Sequence, residues 1–192
     1  MGETAGRRPS QVERFLLHLA GQAGDRGVMA DLRHGLSGAT EYRAWPHIAP
    51  WCRLDDDRQR RIWLTVAAGF AIHQRTANSG NMGTVLRALA TGGGRGDEGL
   101  ATFDARFRRL LACDSAPEVC DHIAGVLRAS ERNGVPINFA QFFYDLMAWG
   151  DRVKVRWATE YWGVPAEEMA GASPEQQEKP SHEEADAREA EQ

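Results

Sequence analysis

The 192-residue sequence is poor in the features that mark membrane, secreted and metal-binding proteins. It has three cysteines, Cys52, Cys113 and Cys120, without a CxxC pair or a fourth ligand nearby, so a zinc site is not expected. No apolar run approaches the roughly 20 residues of a membrane-spanning helix, and no signal peptide is apparent. The sequence therefore predicts a cytoplasmic protein whose cysteines are reduced, buried apolar side chains.

The motifs of the common catalytic chemistries are absent as well. There is no HExxH, GxSxG or Walker pattern and no paired-histidine array. The glycine-rich segment 91–99 lacks the Gly-Lys-Ser/Thr ending of a P-loop and follows no apolar strand, so we interpret it as a flexible connector. The acidic run Asp55, Asp56 and Asp57 stands at a helix start, where consecutive side chains point in different directions. We expect no catalytic residue, no cofactor and no metal.

No stretch alternates apolar and polar residues as a β-strand does, whereas apolar residues recur at helical spacing along most of the chain. The sequence therefore predicts an all-α fold of about seven helices, arranged in two short bundles on either side of the connector. The predicted N-terminal bundle covers residues 10–90, and the C-terminal bundle covers residues 100–163. Residues 166–192 lack apolar periodicity and are predicted to be a disordered acidic tail.

The segment 138–162 is predicted to be the long helix that organises the C-terminal half. Asn138 is suited to cap its first free N–H groups, with a glutamine three residues later. Gly150 lies in the middle of the apolar stripe at a cost of about 1 kcal/mol relative to alanine, which is tolerable if another helix crosses closely at that point. Glu160, one turn further along, is within reach of Arg156 and can pair with it.

Positive charge is supplied almost entirely by arginine, because the only lysines are Lys154 and Lys179. The net charge is −4, but residues 166–192 carry nine acidic and two basic side chains, which leaves +3 for the remainder. Helix after helix places aromatic residues on one side and arginine on the other. This pattern fits a surface that holds an extended anion, and it equally fits an ordinary solvated helix face.

The C-terminal half resembles the CasB family, the small subunit of the type I-E CRISPR surveillance complex, Cascade. The likeness rests on FRRLLACDS and on the segment from EVCDHIAGVLRASERNGVP to the end of 138–162, with WGDR at 149–152 as its most specific part. It continues more faintly through DRGVMADLRHGL, the helix that begins at Asp56, and HQR at 73–75. In all it covers about residues 10–163.

The resemblance implies an all-helical, non-enzymatic subunit with two bundles. Two copies would lie in the complex, hold the crRNA–target assembly together and offer a basic surface to the displaced, non-target DNA strand. The implied partners are other Cascade subunits, a second copy of this chain, the crRNA and the target DNA. In RNA-guided recognition, protein contacts to the nucleic-acid backbone tip a nearly balanced strand exchange, so no base readout is required.

Nine side chains are predicted to bind nucleic-acid backbone. Four match basic positions of the family segments: Arg33, Arg58, Arg152 and Lys154. Five follow from surface position alone: Arg26, Arg61, Arg109, Arg128 and Arg156. The alternative is a helical protein–protein adaptor without a nucleic-acid role, whose basic faces meet acidic partner surfaces. Arginines that are each paired with a carboxylate would favour the adaptor, and unpaired arginines that align would favour nucleic-acid binding. An enzyme with an unrecognised site is made improbable by the missing motifs.

Overall fold

The computed structural model describes residues 8–92 and 96–163, and within them the chain is all-α, as predicted. These ranges contain ten α-helices, two 3-10 turns at His34–Leu36 and Glu41–Arg43, and one isolated bridge between Thr76 and Ile137. The helices are α1 (Gln11–Gly21), α2 (Arg26–Arg33), α3 (Trp45–Ile48), α4 (Asp57–Ile72), α5 (Met82–Thr91), α6 (Gly96–Leu111), α7 (Ala116–His122), α8 (Ala124–Asn133), α9 (Phe139–Met147) and α10 (Asp151–Trp162). None of them is long and apolar enough to cross a membrane.

The helix count exceeds seven partly because the predicted long helix 138–162 is two helices, α9 and α10. Asn138 caps α9 as predicted, accepting a hydrogen bond from Gln141 N at 3.0 Å. Gly150 has extended backbone and is the N-cap of α10. No helix of the described residues crosses closely at Gly150, since a Cβ there would meet only the Ala148 carbonyl oxygen, at 4.0 Å. Gly150 therefore separates α9 from α10 and does not serve as a contact point for another helix.

The predicted connector at 91–99 is shorter than expected, because α6 begins at Gly96. A further break at Ile123 divides α7 from α8, and Gly134 ends α8 in the left-handed conformation, with φ of 66°. The middle of the connector, 93–95, and the predicted disordered acidic tail, 166–192, lie outside the described residues.

The core is built around α4, in which ten consecutive residues from Ile62 to Ala71 are buried. This helix packs against α2 on one side and against α7, α8 and α9 on the others. Aromatic rings join the two halves of the sequence: Trp63 meets Phe143 with ring centroids 4.7 Å apart, and Phe70 meets Phe139 at 5.9 Å. The segments predicted as two bundles therefore meet in one hydrophobic cluster.

Candidate nucleic-acid interface

The nine predicted cations differ in whether they already have a carboxylate partner within the chain. Arg61 pairs with Asp121 and with Glu41, and its side chain is 19% exposed, so it serves to hold α4 against α7. Arg156 pairs with the buried Asp145. Among the side chains of residues 8–92 and 101–163, no carboxylate oxygen lies within 4.0 Å of seven of the nine: Arg26, Arg33, Arg58, Arg109, Arg128, Arg152 and Lys154.

The Arg58 side chain lies at the corner between α9 and α10, two helices that are distant from Arg58 in the sequence. Its Nη2 donates to the carbonyl oxygens of Met147 at 2.6 Å and of Leu146 at 3.4 Å. These carbonyls belong to the last turn of α9, where the helix has no internal donors and carries partial negative charge. Arg58 therefore stabilises the end of α9, and the rest of its guanidinium faces solvent.

Lys154 and Arg109 are brought to the same corner by Trp149. The Trp149 Nε1 donates to the Cys113 carbonyl oxygen at 3.0 Å, which ties the α9–α10 junction to the α6–α7 junction. The Lys154 ammonium lies 5.9 Å from the centre of the Trp149 ring. Cys113 in turn donates from Sγ to the carbonyl oxygen of Arg109, in the last turn of α6. With Arg152 in the first turn of α10, these cations belong to elements that meet at this junction, and we call the set the corner surface: Arg58, Arg109, Arg152 and Lys154.

The buried carboxylate of Asp145 fixes the geometry of α9 and α10. Asp145 is fully buried and accepts hydrogen bonds from Gln141 Nε2 at 2.8 Å, from Trp157 Nε1 at 2.6 Å and from the Arg156 guanidinium. Arg156 therefore pairs with Asp145 and not with Glu160, the partner within local reach on its own helix. Asp145 is out of local sequence reach, and only the turn at Gly150 brings it to Arg156.

Arg33 lies away from the corner surface, at the opposite end of α4. Its Nε donates to the Ala71 carbonyl oxygen at 3.0 Å. Ala71 is thirteen residues after Arg58 on the same helix, a distance of about 20 Å along the axis. The four cations matched to the family segments are thus divided between the two ends of α4.

Arg33 lines an open depression of about 570 Å³ together with residues that follow α4 and residues that end α8. Two of these, Arg75 and Arg132, are cations that the sequence-based prediction missed. The signal for Arg75 was its place in the HQR segment at 73–75. Arg132 gave no separate signal, because a cation in the last turn of a helix is favoured by the helix dipole alone.

Arg26 and Arg128 are exposed on the two helices whose last turns carry Arg33 and Arg132. Arg128 precedes Arg132 by four residues and so lies about 6 Å from it along α8. We refer to the cations at this end of α4 as the depression surface: Arg33, Arg75, Arg128 and Arg132.

The thiols and acidic side chains of the described ranges give little support to a catalytic or metal site. Burial raises the pKa of the Cys120 thiol and of the Cys52 thiol to about 11, so both are protonated at neutral pH and weakly reactive. Across residues 8–92 and 96–163, no group of three or more His, Cys, Asp or Glu side chains is placed to hold a metal ion.

Known proteins resemble this chain in sequence and in fold. The family model described as CRISPR-associated protein Cse2 matches residues 28–162. A CRISPR-associated protein Cse2 from Thermus thermophilus is 34% identical over 181 residues, which cover 87% of this chain and 95% of that protein. The crystal structure of CasB from Thermus thermophilus superposes with a TM-score of 0.63 at 26% identity, covering 81% of this chain and 100% of the other. A second crystal structure, of a Cse2-family protein from the same organism, gives 0.62 at 27% identity, with 79% and 97% covered.

Proposed function

Because this chain belongs to the Cse2 family of CRISPR-associated proteins, we propose that it is a non-catalytic small subunit of a type I-E Cascade complex that holds nucleic-acid backbone on its basic surfaces. In this role it stabilises the R-loop by binding the displaced, non-target DNA strand and by supporting the crRNA–target assembly. Its partners are other Cascade subunits, including a second copy of itself, together with crRNA and target DNA.

The observation that best supports this function is that most of the predicted cations lack a carboxylate partner. Seven of the nine have no carboxylate partner in the described ranges, so their charge is available to an anion from outside the chain. Phosphate contacts carry no sequence information, but they add affinity that is independent of sequence. A subunit that neutralises phosphates of a displaced strand favours strand exchange without reading a base.

The competing function is a helical adaptor that meets acidic partner surfaces and touches no nucleic acid. It is favoured by the two predicted cations that serve the fold, Arg61 and Arg156, and by Arg58, whose hydrogen bonds stabilise the end of α9. The two functions differ in whether the isolated chain binds single-stranded DNA, and the following experiment separates them.

We expect the isolated chain to bind single-stranded DNA with an affinity that falls steeply with salt. If Arg33, Arg58, Arg152 and Lys154 each neutralise one phosphate, they contribute about −3 to the slope of log affinity against log salt. Changing all four to alanine should remove most of the binding and make the slope shallower by about that amount. Fluorescence anisotropy with a labelled oligonucleotide over a salt series measures both quantities, and circular dichroism verifies that the variant is folded.

The control for that variant is the triple change Arg43→Ala, Arg53→Ala and Arg108→Ala. These side chains are also solvent-accessible, but each is already paired with a carboxylate, so their loss should change affinity little. Absence of binding by the wild-type chain, or an equal loss in both variants, would favour the adaptor.

The charge asymmetry of the sequence leads to a separate expectation for residues 166–192. These residues carry a net charge of −7 against +3 for the rest of the chain, so they should compete with DNA for the basic surfaces. A chain ending at residue 165 should therefore bind single-stranded DNA several-fold more tightly at low salt. The difference should vanish at about 1 M salt, where the Debye length is about 3 Å. A full-length variant with the nine acidic residues changed to glutamine or asparagine should match the truncated chain. Unchanged affinity at low salt in either variant would refute the competition.

A further inference from the structure

The depression at the end of α4 collects three guanidinium groups from separate parts of the chain. Arg33 ends α2, Arg75 follows α4, and Arg132 lies in the last turn of α8; all three side chains line the depression. Arg33 is oriented by the hydrogen bond from its Nε to the Ala71 carbonyl oxygen, at 3.0 Å, which leaves its two Nη groups unused. Three cations that are distant in sequence thus meet at one place.

The position of Arg75 is fixed by its backbone. Its carbonyl oxygen accepts from Ile137 N at 3.1 Å, and two residues later Ala77 N donates to the Ile137 carbonyl oxygen at 3.0 Å. These bonds hold the segment after α4 against the segment after α8. They explain why Arg75 and Arg132 line one depression although 57 positions separate them in the sequence.

Gly134 makes the approach of Arg75 possible. A Cβ at this position would lie 2.9 Å from Arg75 Nη1, so the guanidinium lies against a backbone that has no side chain. The φ of +66° at Gly134 also disfavours any L side chain. The glycine that ends α8 therefore leaves room for a cation beside the one that α8 itself supplies.

The charges around the depression do not cancel. Its lining contains one acidic side chain, Glu131, and none of the three arginines has a carboxylate oxygen within 4.0 Å in the described ranges. The carbonyl ends of α4 and α8 each contribute roughly half a negative charge. Against three arginines, Glu131 and the two helix ends leave a net charge of about +1. Other arginines of this chain, such as Arg43 and Arg60, neutralise their charge with nearby carboxylates.

We infer that this depression binds a phosphate group through Arg33, Arg75 and Arg132. The planar guanidinium fork suits the oxygens of a phosphate, and three forks from different directions can satisfy several oxygens at once. That the phosphate belongs to a nucleic-acid backbone rests on the proposed function. Arg128, about 6 Å along α8 from Arg132, then continues the path for a neighbouring phosphate of the same strand.

The test compares two double variants. The depression double carries Arg75→Ala and Arg132→Ala in one chain, and the control double carries Arg43→Ala and Arg53→Ala. Both doubles remove two exposed arginines and the same charge. With a labelled oligothymidylate at about 50 mM salt, the depression double should lose roughly 10- to 100-fold in affinity, and its salt slope should become shallower by about 1.4. The control should lose little. Equal behaviour of the two doubles would overturn the inference, as would a wild-type chain that fails to bind the oligonucleotide.

Two further measurements separate the sources of the phosphate and the two proposals. If inorganic phosphate raises the unfolding temperature of the wild type but not of the depression double, while the oligonucleotide affinities are equal, the site takes free phosphate and its assignment to nucleic acid is wrong. If the depression double binds DNA normally but is lost from reconstituted Cascade, the surface contacts protein and the inference is also wrong. A third outcome separates the two proposals. If the triple variant Arg58→Ala, Arg152→Ala and Lys154→Ala loses DNA binding while the depression double retains it, the depression is excluded as a phosphate site and the proposed function stands.

Discussion

Changing Asp145 to alanine is expected to lower the free energy of unfolding by about 3 kcal/mol. The carboxylate is fully buried and is the acceptor for Gln141, for the Arg156 guanidinium and for the Trp157 indole N–H. No other residue within the described part of the chain accepts a hydrogen bond from the Trp157 indole. Urea unfolding followed by tryptophan fluorescence measures the loss.

The expected magnitude follows from what each donor does after the carboxylate is removed. The Arg156 side chain is 49% exposed, so it can turn to water and its charge is not trapped. Trp157 is fully buried, so its N–H loses its partner and cannot reach solvent. An unsatisfied buried donor costs about 1–3 kcal/mol, and a lost hydrogen bond to a charged group about 1.5–3 kcal/mol. The total lies at the lower end of the roughly 3–5 kcal/mol expected when one partner of a buried ion pair is removed.

Two other substitutions give the Asp145 experiment its controls. Asp145→Asn retains an oxygen that can accept from Trp157 and should cost less than the alanine. Asp55→Ala removes a carboxylate that is paired with Arg53 on the exposed surface, and it should leave the unfolding midpoint nearly unchanged. A similar loss for Asp55→Ala and Asp145→Ala would show that the buried network contributes no more than an exposed pair.

Local features of this fold were predictable from sequence because they depend on neighbouring residues. Asn138 caps α9 as predicted, and Ser10 with Glu13 forms a capping box at the start of α1, since a cap needs only a side chain within three residues of the groups it satisfies. Gly134 ends α8 in the left-handed conformation, which is likewise a local feature. The resemblance to the CasB family, carried by segments such as WGDR at 149–152, is confirmed by the family match and by the solved structures.

Features that depend on distant residues were not predictable in this way. Arg156 pairs with Asp145 and not with Glu160, because the chain turns at Gly150. Arg58 stabilises the end of a helix that lies 88 positions further along the chain. The convergence of Arg33, Arg75 and Arg132 likewise exists only once α2, α4 and α8 are packed, and periodicity along one helix carries no information about it.

Gly83 is a further feature that depends on distant residues, and its substitution is the second one expected to have a large effect on stability. Gly83 is the second residue of α5 and is buried against α10. A Cβ at Gly83 would overlap the carbonyl oxygen of Trp157 and come within 2.9 Å of Asn81 Oδ1. Asn81 is the N-cap of α5, and its Oδ1 accepts a hydrogen bond from Gly83 N at 2.8 Å. The glycine therefore allows the backbones of α5 and α10 to touch.

Gly83→Ala is expected to destabilise the protein by about 3 kcal/mol, although alanine is the better helix former by about 1 kcal/mol. The Trp157 carbonyl is backbone, so α10 must move as a unit, and overpacking of this kind costs about 1–3 kcal/mol. Disturbing the Asn81 cap adds about 1 kcal/mol. Because α10 carries Arg152 and Lys154, the same shift should weaken single-stranded DNA binding.

The matched control for Gly83→Ala is Gly125→Ala. Gly125 is the second residue of α8, a helix of the same ten-residue length, but a Cβ there meets nothing within 4 Å. Helix propensity alone should then make Gly125→Ala more stable by up to about 1 kcal/mol. Opposite signs in urea unfolding would place the effect of Gly83 in the contact between α5 and α10. If Gly83→Ala also stabilises the chain, that contact is not close, and the position of α10, with Arg152 and Lys154, is set by the Asp145 network instead.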